Sequence, residues 1–265
     1  MNYIITGSSQ GIGFEISKIL ENGNNLLLCS RKKNNYFDNK KNVKYLKLDV
    51  NEKKDLIKLK NYLKINKISL NGVIFSHGLL GTPMTSYDLT KATKWKKIFD
   101  TNFTSSVNLI RYIVPFIKKK NYSKIIFFSG GGAFNAWPIF SAYSVAKTAL
   151  VRFAENLADE LKNQKIIVTC LAPGFINTGI HKLNYLKLNQ LNKKYKKELI
   201  QNKNKKPNFE NIIKLVSYTL QNKNMNLSGK TISANYDPWG SKLFLNKLKK
   251  NNRLLTLARI NLKPD

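Results

Sequence analysis

Asn2-Tyr-Ile-Ile-Thr6-Gly7-Ser-Ser-Gln-Gly11-Ile-Gly13-Phe14 is the stretch whose reading decides the fold. Residues 2–6 form a short, almost unbroken apolar run of the kind a buried strand needs. Glycines follow in a G-x-x-x-G-x-G spacing, and Phe14, Ile16, Ile19 and Leu20 then recur with helical period. Strand, glycine turn and helix in that order are the context of a loop that binds dinucleotide phosphates. Glycine lets the backbone turn tightly and approach a pyrophosphate, whose charge meets the helix N-terminus. A plain β-to-α turn is the other reading of the same residues.

The alternation continues along the chain. Strand-like runs recur near 2–6, 25–29, 43–48, 72–76, 123–129, 165–171 and 230–234. Helical periods lie between them near 11–22, 52–64, 91–118, 141–163 and 210–222. This pattern predicts an α/β, doubly wound fold: a parallel sheet of about seven strands with helices on both faces. Ligands then gather at the strands' C-terminal ends. Pro115 falls inside the third helical period and is expected to kink or shorten it. No linker or repeat divides the chain, so a single domain is expected over 1–265, with a lid at 181–207 and a C-terminal extension at 241–265. In that extension Leu243, Phe244, Leu248, Leu254, Leu255, Leu257 and Ile260 are too many apolar residues for a free tail. They are expected to pack on their own subunit or across a dimer interface.

The net charge of +31 invites a nucleic-acid reading. The lysines, however, are spread through every segment among Asn, Ile and Tyr, so no specific nucleic-acid partner is expected. Nine lysines face one acid, Glu198, in 181–207, which suits either a solvated lid or an anionic substrate such as a nucleotide sugar. No apolar run approaches the roughly 18 residues of a membrane span. The first strand starts at residue 2, leaving no room for a signal peptide, and a soluble cytoplasmic protein is expected. Cys29 and Cys170 lie in apolar strand-like runs and read as buried, reduced thiols. Two cysteines and two histidines without ligand spacing argue against a metal site.

Tyr143-Ser-Val-Ala-Lys147 places a phenol and an ammonium four residues apart at the start of a helical period. Side chains at i and i+4 share a helix face. A lysine charge beside a tyrosine hydroxyl favours the phenolate, which is expected to lower the phenol's pKa and ready it for proton transfer.

These two motifs together resemble the short-chain dehydrogenase/reductase family, over nearly all the chain to about residue 240. Thr6 to Gly13 looks like the family's cofactor loop, with Gly7, Ser9, Gln10, Gly11, Ile12 and Gly13 as contacts. Leu48-Asp49-Val50 looks like its adenine-contacting stretch, and Ser76-His77-Gly78 stands in place of the usual Asn-Ala-Gly. Pro173-Gly174-Phe-Ile176-Asn-Thr178 looks like the loop that holds the nicotinamide end. The resemblance implies a Rossmann fold, an oxidoreductase acting on a secondary alcohol or ketone, and assembly as a homodimer or homotetramer. In it Tyr143 exchanges a proton with the substrate oxygen. Lys147 lowers the pKa of Tyr143 and bonds the nicotinamide ribose, and Asn102 holds a water that links Lys147 to solvent. His77, where the family has alanine, either faces the cofactor or packs structurally.

The family's remaining catalytic member, a serine 13 residues before the tyrosine, is absent: that position is Gly130. Either Ser129 or backbone N–H groups of the glycine run 130–132 take its place, or the donor is lost. A nucleotide-binding scaffold protein without chemistry is therefore the rival function. Residues 129–133, Leu227 to Ala234 and Asp237-Pro-Trp239 resemble a subgroup associated with surface-polysaccharide or nucleotide-sugar metabolism. For the cofactor, Arg31 ends the second strand where an NAD enzyme carries an acid, and no Asp or Glu occurs between Glu21 and Asp38. An arginine there pairs with the 2′-phosphate of NADP, helped by Lys32 and Lys33, so NADP is expected and NAD is the alternative.

Overall fold

A computed structural model describes residues 1–259. Seven parallel strands form one sheet: β1 Asn2–Thr6, β2 Asn25–Ser30, β3 Val43–Lys47, β4 Gly72–Phe75, β5 Lys124–Phe128, β6 Ile167–Ala172 and β7 Lys230–Ser233. Their order is β3-β2-β1-β4-β5-β6-β7. The order reverses between β1 and β4, where the chain opens a crevice beyond the strand ends. Register places Thr6 beside Cys29 and Phe75, so the loops after β1, β2 and β4 emerge side by side.

Both faces of the sheet are covered, which is why its strands read as nearly continuous apolar runs and not as alternating ones. One face buries Ile4, Val73, Phe75, Ile125, Phe127 and Cys170 under α2 (Lys53–Ile65), α4 (Ser105–Ile113) and α5 (Ser141–Leu161). The other buries Ile5, Leu28, Ile74, Ile126 and Phe128 under α1 (Gly11–Leu20), α7 (Glu210–Gln221) and α8 (Lys242–Lys250). Each fully buried Ile or Leu contributes about 1.5–3 kcal/mol. Along α5 the buried positions Leu150, Val151, Ala154, Leu157, Ala158 and Leu161 keep the three-four spacing of one helix face, which fixes how Tyr143 and Lys147 are presented.

The third helical period is not one helix. α3 (Ala92–Phe99) passes into a π-turn, Asp100–Thr104, before α4, and α4 ends at Ile113 ahead of a 3-10 turn containing Pro115. Pro115 shortens the helix as expected. The π-turn is an additional break, and it carries Asn102.

Segment 181–207 is ordered as a 3-10 stretch, Gly179–Gln190, followed by α6 (Lys193–Asn202). The tail packs on its own chain. Phe244 and Leu248 join the core, and Leu257 packs against the opposite cluster. Thr231 N donates to Leu255 O at 2.8 Å and Leu257 N to Glu155 Oε1 at 2.7 Å. Ile260 and the rest of that tail lie outside the described residues. Among the described residues no helix is long and apolar enough to cross a membrane.

Candidate active site

A cleft of about 980 Å³ opens at the C-terminal ends of the strands, where the order reverses. Gly7, Ser9, Gln10, Gly11 and Ile12 line one end; Gly13 stands behind them. A Cβ on Gly13 would come within 2.1 Å of Ser76 Oγ and 2.6 Å of Gly7 O. Gly7 adopts φ +65°, and a Cβ there would meet His77 N at 2.7 Å. The loop thus lies against the end of β4 more closely than any side chain permits. The first turn of α1 holds no acidic residue, and its N-cap Gln10 makes no side-chain capping bond. Its amides remain for an anion, so this cradle fits a dinucleotide pyrophosphate.

Arg31, Lys32, Asp49 and Val50 line the next stretch of the cleft. Lys33 is turned away in an ion pair with Asp38 at 2.5 Å. The Asp49 carboxylate accepts from Asn51 N at 3.0 Å, which holds its loop at the cleft wall. His77 lines the cleft but both ring nitrogens are engaged. Nδ1 lies 2.7 Å from Thr6 Oγ1, and Nε2 lies 3.0 Å from Ser105 Oγ and 3.3 Å from Ser106 Oγ. Burial, with the Lys147 charge, drives its pKa down to about 3. The ring is a neutral tie between β1, β4 and α4.

Tyr143 and Lys147 both line the cleft and are both buried. The Lys147 ammonium lies 5.6 Å from the centre of the Tyr143 ring and donates to Phe128 O at 2.9 Å. Asn102 sits behind Gly78. Its Nδ2 donates to Leu79 O at 2.7 Å and to Ile98 O at 2.8 Å, and its Oδ1 accepts from Leu79 N at 3.2 Å. A Cβ on Gly78 would lie 3.1 Å from Asn102 Oδ1 and 3.9 Å from Lys147 Nζ, so these groups converge on one backbone position.

The expected lowering of the Tyr143 pKa is reversed here. Burial raises it above the ordinary phenol value, and the Cys170 thiol pushes the same way. Burial also brings the Lys147 ammonium down to about 8. Desolvation of the phenolate outweighs the attraction of a lysine that is itself desolvated.

Ser129 lines the same cleft as Tyr143. Its Oγ is buried beside the Cys170 thiol and lacks a conventional hydrogen-bond partner. Gly130 is the residue facing Tyr143: a Cβ there would lie 2.3 Å from the hydroxyl oxygen. β5 ends at Phe128, so Ser129 and Gly130 lie in the loop beyond the strand, at the wall of the cleft.

Pro173, Gly174, Ile176 and Thr178 line the cleft after β6. Residues that the motifs did not single out close its far side. Trp137 stands edge-on to Tyr143 at 6.0 Å and to Tyr195 at 5.3 Å, and Phe175 stacks on His181 at 4.7 Å. Tyr195 and His181 pair through Oη and Nδ1 at 2.7 Å, and Asn184 Nδ2 reaches Gly81 O at 3.1 Å. These aromatic residues come together only through tertiary contact, and no spacing in the sequence announces them.

The short chain dehydrogenase family profile matches residues 2–188. Among curated proteins, benzil reductase ((S)-benzoin forming) of Saccharomyces cerevisiae is 27% identical over 194 residues, covering 68% of this chain and 73% of that protein. The 3-amino-tetrahydro-pyrrolizinone reductase of Xenorhabdus hominickii is 30% identical over 181 residues, 67% of this chain and 62% of its own. Among solved structures, a short chain dehydrogenase family protein from Francisella tularensis superposes with TM-score 0.74 at 23% identity, covering 88% and 96% of the two chains. A 4-hydroxyisoleucine dehydrogenase mutant complexed with NADH and succinate gives TM-score 0.74 at 20% identity, covering 88% and 96%.

Proposed function

The chain belongs to the short-chain dehydrogenase/reductase family, and from that premise we propose that it reduces a ketone to a secondary alcohol at the expense of NADPH. The observation that carries this reading is the Tyr143 hydroxyl, buried in the same cleft as the glycine cradle and sharing a helix face with Lys147. The cradle from Gly7 to Gly13 would hold the pyrophosphate, Arg31 and Lys32 the 2′-phosphate, Lys147 the nicotinamide ribose, and the loop Pro173 to Thr178 the nicotinamide. Bound there, the cofactor supplies the hydride.

Tyr143 is the proton donor. Because burial keeps its phenol protonated at neutral pH, the group is poised to give a proton to a carbonyl oxygen, which is the requirement of the reductive direction. Below a pH of about 8 Lys147 is charged and stabilises the negative charge left on the phenol oxygen. Asn102 holds the turn after β4 against α3 through Leu79 and Ile98, and so fixes the wall behind Lys147.

The lining of Trp137, Phe175, Tyr195 and Leu80 favours a ketone carried on an apolar ring. Two relatives are named as reductases of benzil and of 3-amino-tetrahydro-pyrrolizinone, in keeping with that choice. A sugar or nucleotide-sugar substrate has one observation in its favour: Lys194, from the lysine-rich segment, lines the cleft. Segment 181–207 would act as the lid over either substrate. A panel of ring ketones and nucleotide-sugar ketones, followed by NADPH and NADH absorbance, tests the reading. Turnover of a ring ketone with NADPH is expected; cofactor binding with no turnover across the panel would instead favour the scaffold protein.

A further inference from the structure

A serine at position 130 would place a hydroxyl against the reacting oxygen, and here the Tyr143 hydroxyl occupies that space. The chain leaves something else at the same spot. Gly130 O accepts from Ala133 N at 3.1 Å, closing a turn whose third residue, Gly132, adopts φ +95°. That is the geometry of a type II turn, which requires glycine at its third position. Gly130, Gly131 and Gly132 all line the cleft. Among the described residues, no protein acceptor takes the amide hydrogen of any of the three. A substrate oxygen in hydrogen-bond contact with the Tyr143 hydroxyl therefore lies alongside a turn with uncommitted amides.

Resting on the reading of the cleft as a ketone site, we infer that the backbone amides of Gly131 and Gly132 form the oxyanion hole of this enzyme, taking over the work of the absent serine. Fixed backbone donors meet the charge that develops on the carbonyl oxygen without reorganising, and their loss is costly in rate. Ser129 also lines the cleft, with its Oγ buried beside the Cys170 thiol, and the Ser129→Ala variant below separates its contribution from that of the amides.

The turn itself provides the test. Position 131 is the second residue of the turn, where proline is favoured. Proline there removes a single N–H, and a Cβ at 131 meets nothing closer than Trp137 Cζ3 at 3.8 Å. G131A adds a methyl group and keeps the amide. With the fastest ketone of the panel, kcat of G131P should fall about 10²-fold below that of G131A. The KM for NADPH and the rise in melting temperature on adding NADPH should be the same for both. Ser129 and Asn135 offer the polar side chains nearest the turn in sequence within the cleft lining, and Ser129→Ala and Asn135→Ala should each lower kcat less than G131P. Equal kcat for G131P and G131A overturns the inference, as does a larger loss in either side-chain variant. In wild-type protein carrying nitrogen-labelled glycine, the Gly131 and Gly132 amide protons should move downfield when the ketone joins the NADP⁺ complex. Unmoved signals overturn the inference even if G131P does not fold. No turnover of any ketone by the wild type would overturn the proposed function itself, whereas turnover that depends on Tyr143 but not on residue 131 removes only the amide hole.

Discussion

Replacing Gly130 by serine is the perturbation that most sharply separates the sequence pattern from the structure. Family pattern alone says that Gly130→Ser restores a missing donor and speeds the reaction, by as much as the 10²–10³-fold such donors typically supply. The geometry gives the opposite sign. The new Cβ would lie 2.3 Å from the Tyr143 hydroxyl oxygen, 2.9 Å from Cζ and 3.0 Å from Cε1, whereas ordinary contact begins at 3.4 Å. Relieving the overlap displaces the phenol by about 1 Å, and a displacement of that size costs about 10²-fold in rate. Trp137 and the buried start of α5 hold the ring, so the strain also costs about 1–3 kcal/mol of stability. Stopped-flow measurement of NADPH oxidation by G130S with a saturating ring ketone should show kcat down about 10²-fold. NADPH should still raise the melting temperature of the variant, because the cradle and Arg31 are untouched. A G130S enzyme as fast as the wild type, or faster, would refute the reasoning.

Tyr143→Phe should abolish turnover and leave the thermal shift with NADPH intact; retained turnover would remove the phenol from the mechanism. Arg31→Asp should swing preference from NADPH toward NADH, measured as the ratio of kcat/KM values, and an unchanged ratio would refute the 2′-phosphate assignment. Lys147 is charged below its lowered pKa of about 8 and neutral above it. The kcat for reduction should therefore hold through neutral pH and fall as pH rises through about 8; a rate that climbs over this range would contradict the role given to its charge.

Much of the fold was legible because its signals are local. Strands buried on both faces show as apolar runs such as Ile125–Phe128, and the glycine spacing marks where β1 gives way to α1. Tyr143 and Lys147 were legible for the same reason, since four residues on a helix is a fixed distance. The π-turn was not, because an i→i+5 bond leaves no trace in residues 91–118, whose apolar period simply runs on. The reversed pKa of Tyr143 depends on burial in three dimensions, which a two-residue motif does not contain. The contact of position 130 with the Tyr143 hydroxyl was not legible, because β5 ends at Phe128 and side-chain alternation does not extend into the loop. Trp137, Phe175 and Tyr195 meet from three separate segments, and only the folded chain brings them together.

The bond from Thr231 to Leu255 has a consequence for the border of the sheet. β7 is the outermost ribbon on its side, and a bare ribbon edge recruits foreign strands. Here residues downstream in the same chain already occupy part of that border. On the opposite border Lys44 and Lys47 jut outward from β3 as like charges that repel a newcomer. Both margins are therefore poorer templates for strand addition than a bare ribbon edge.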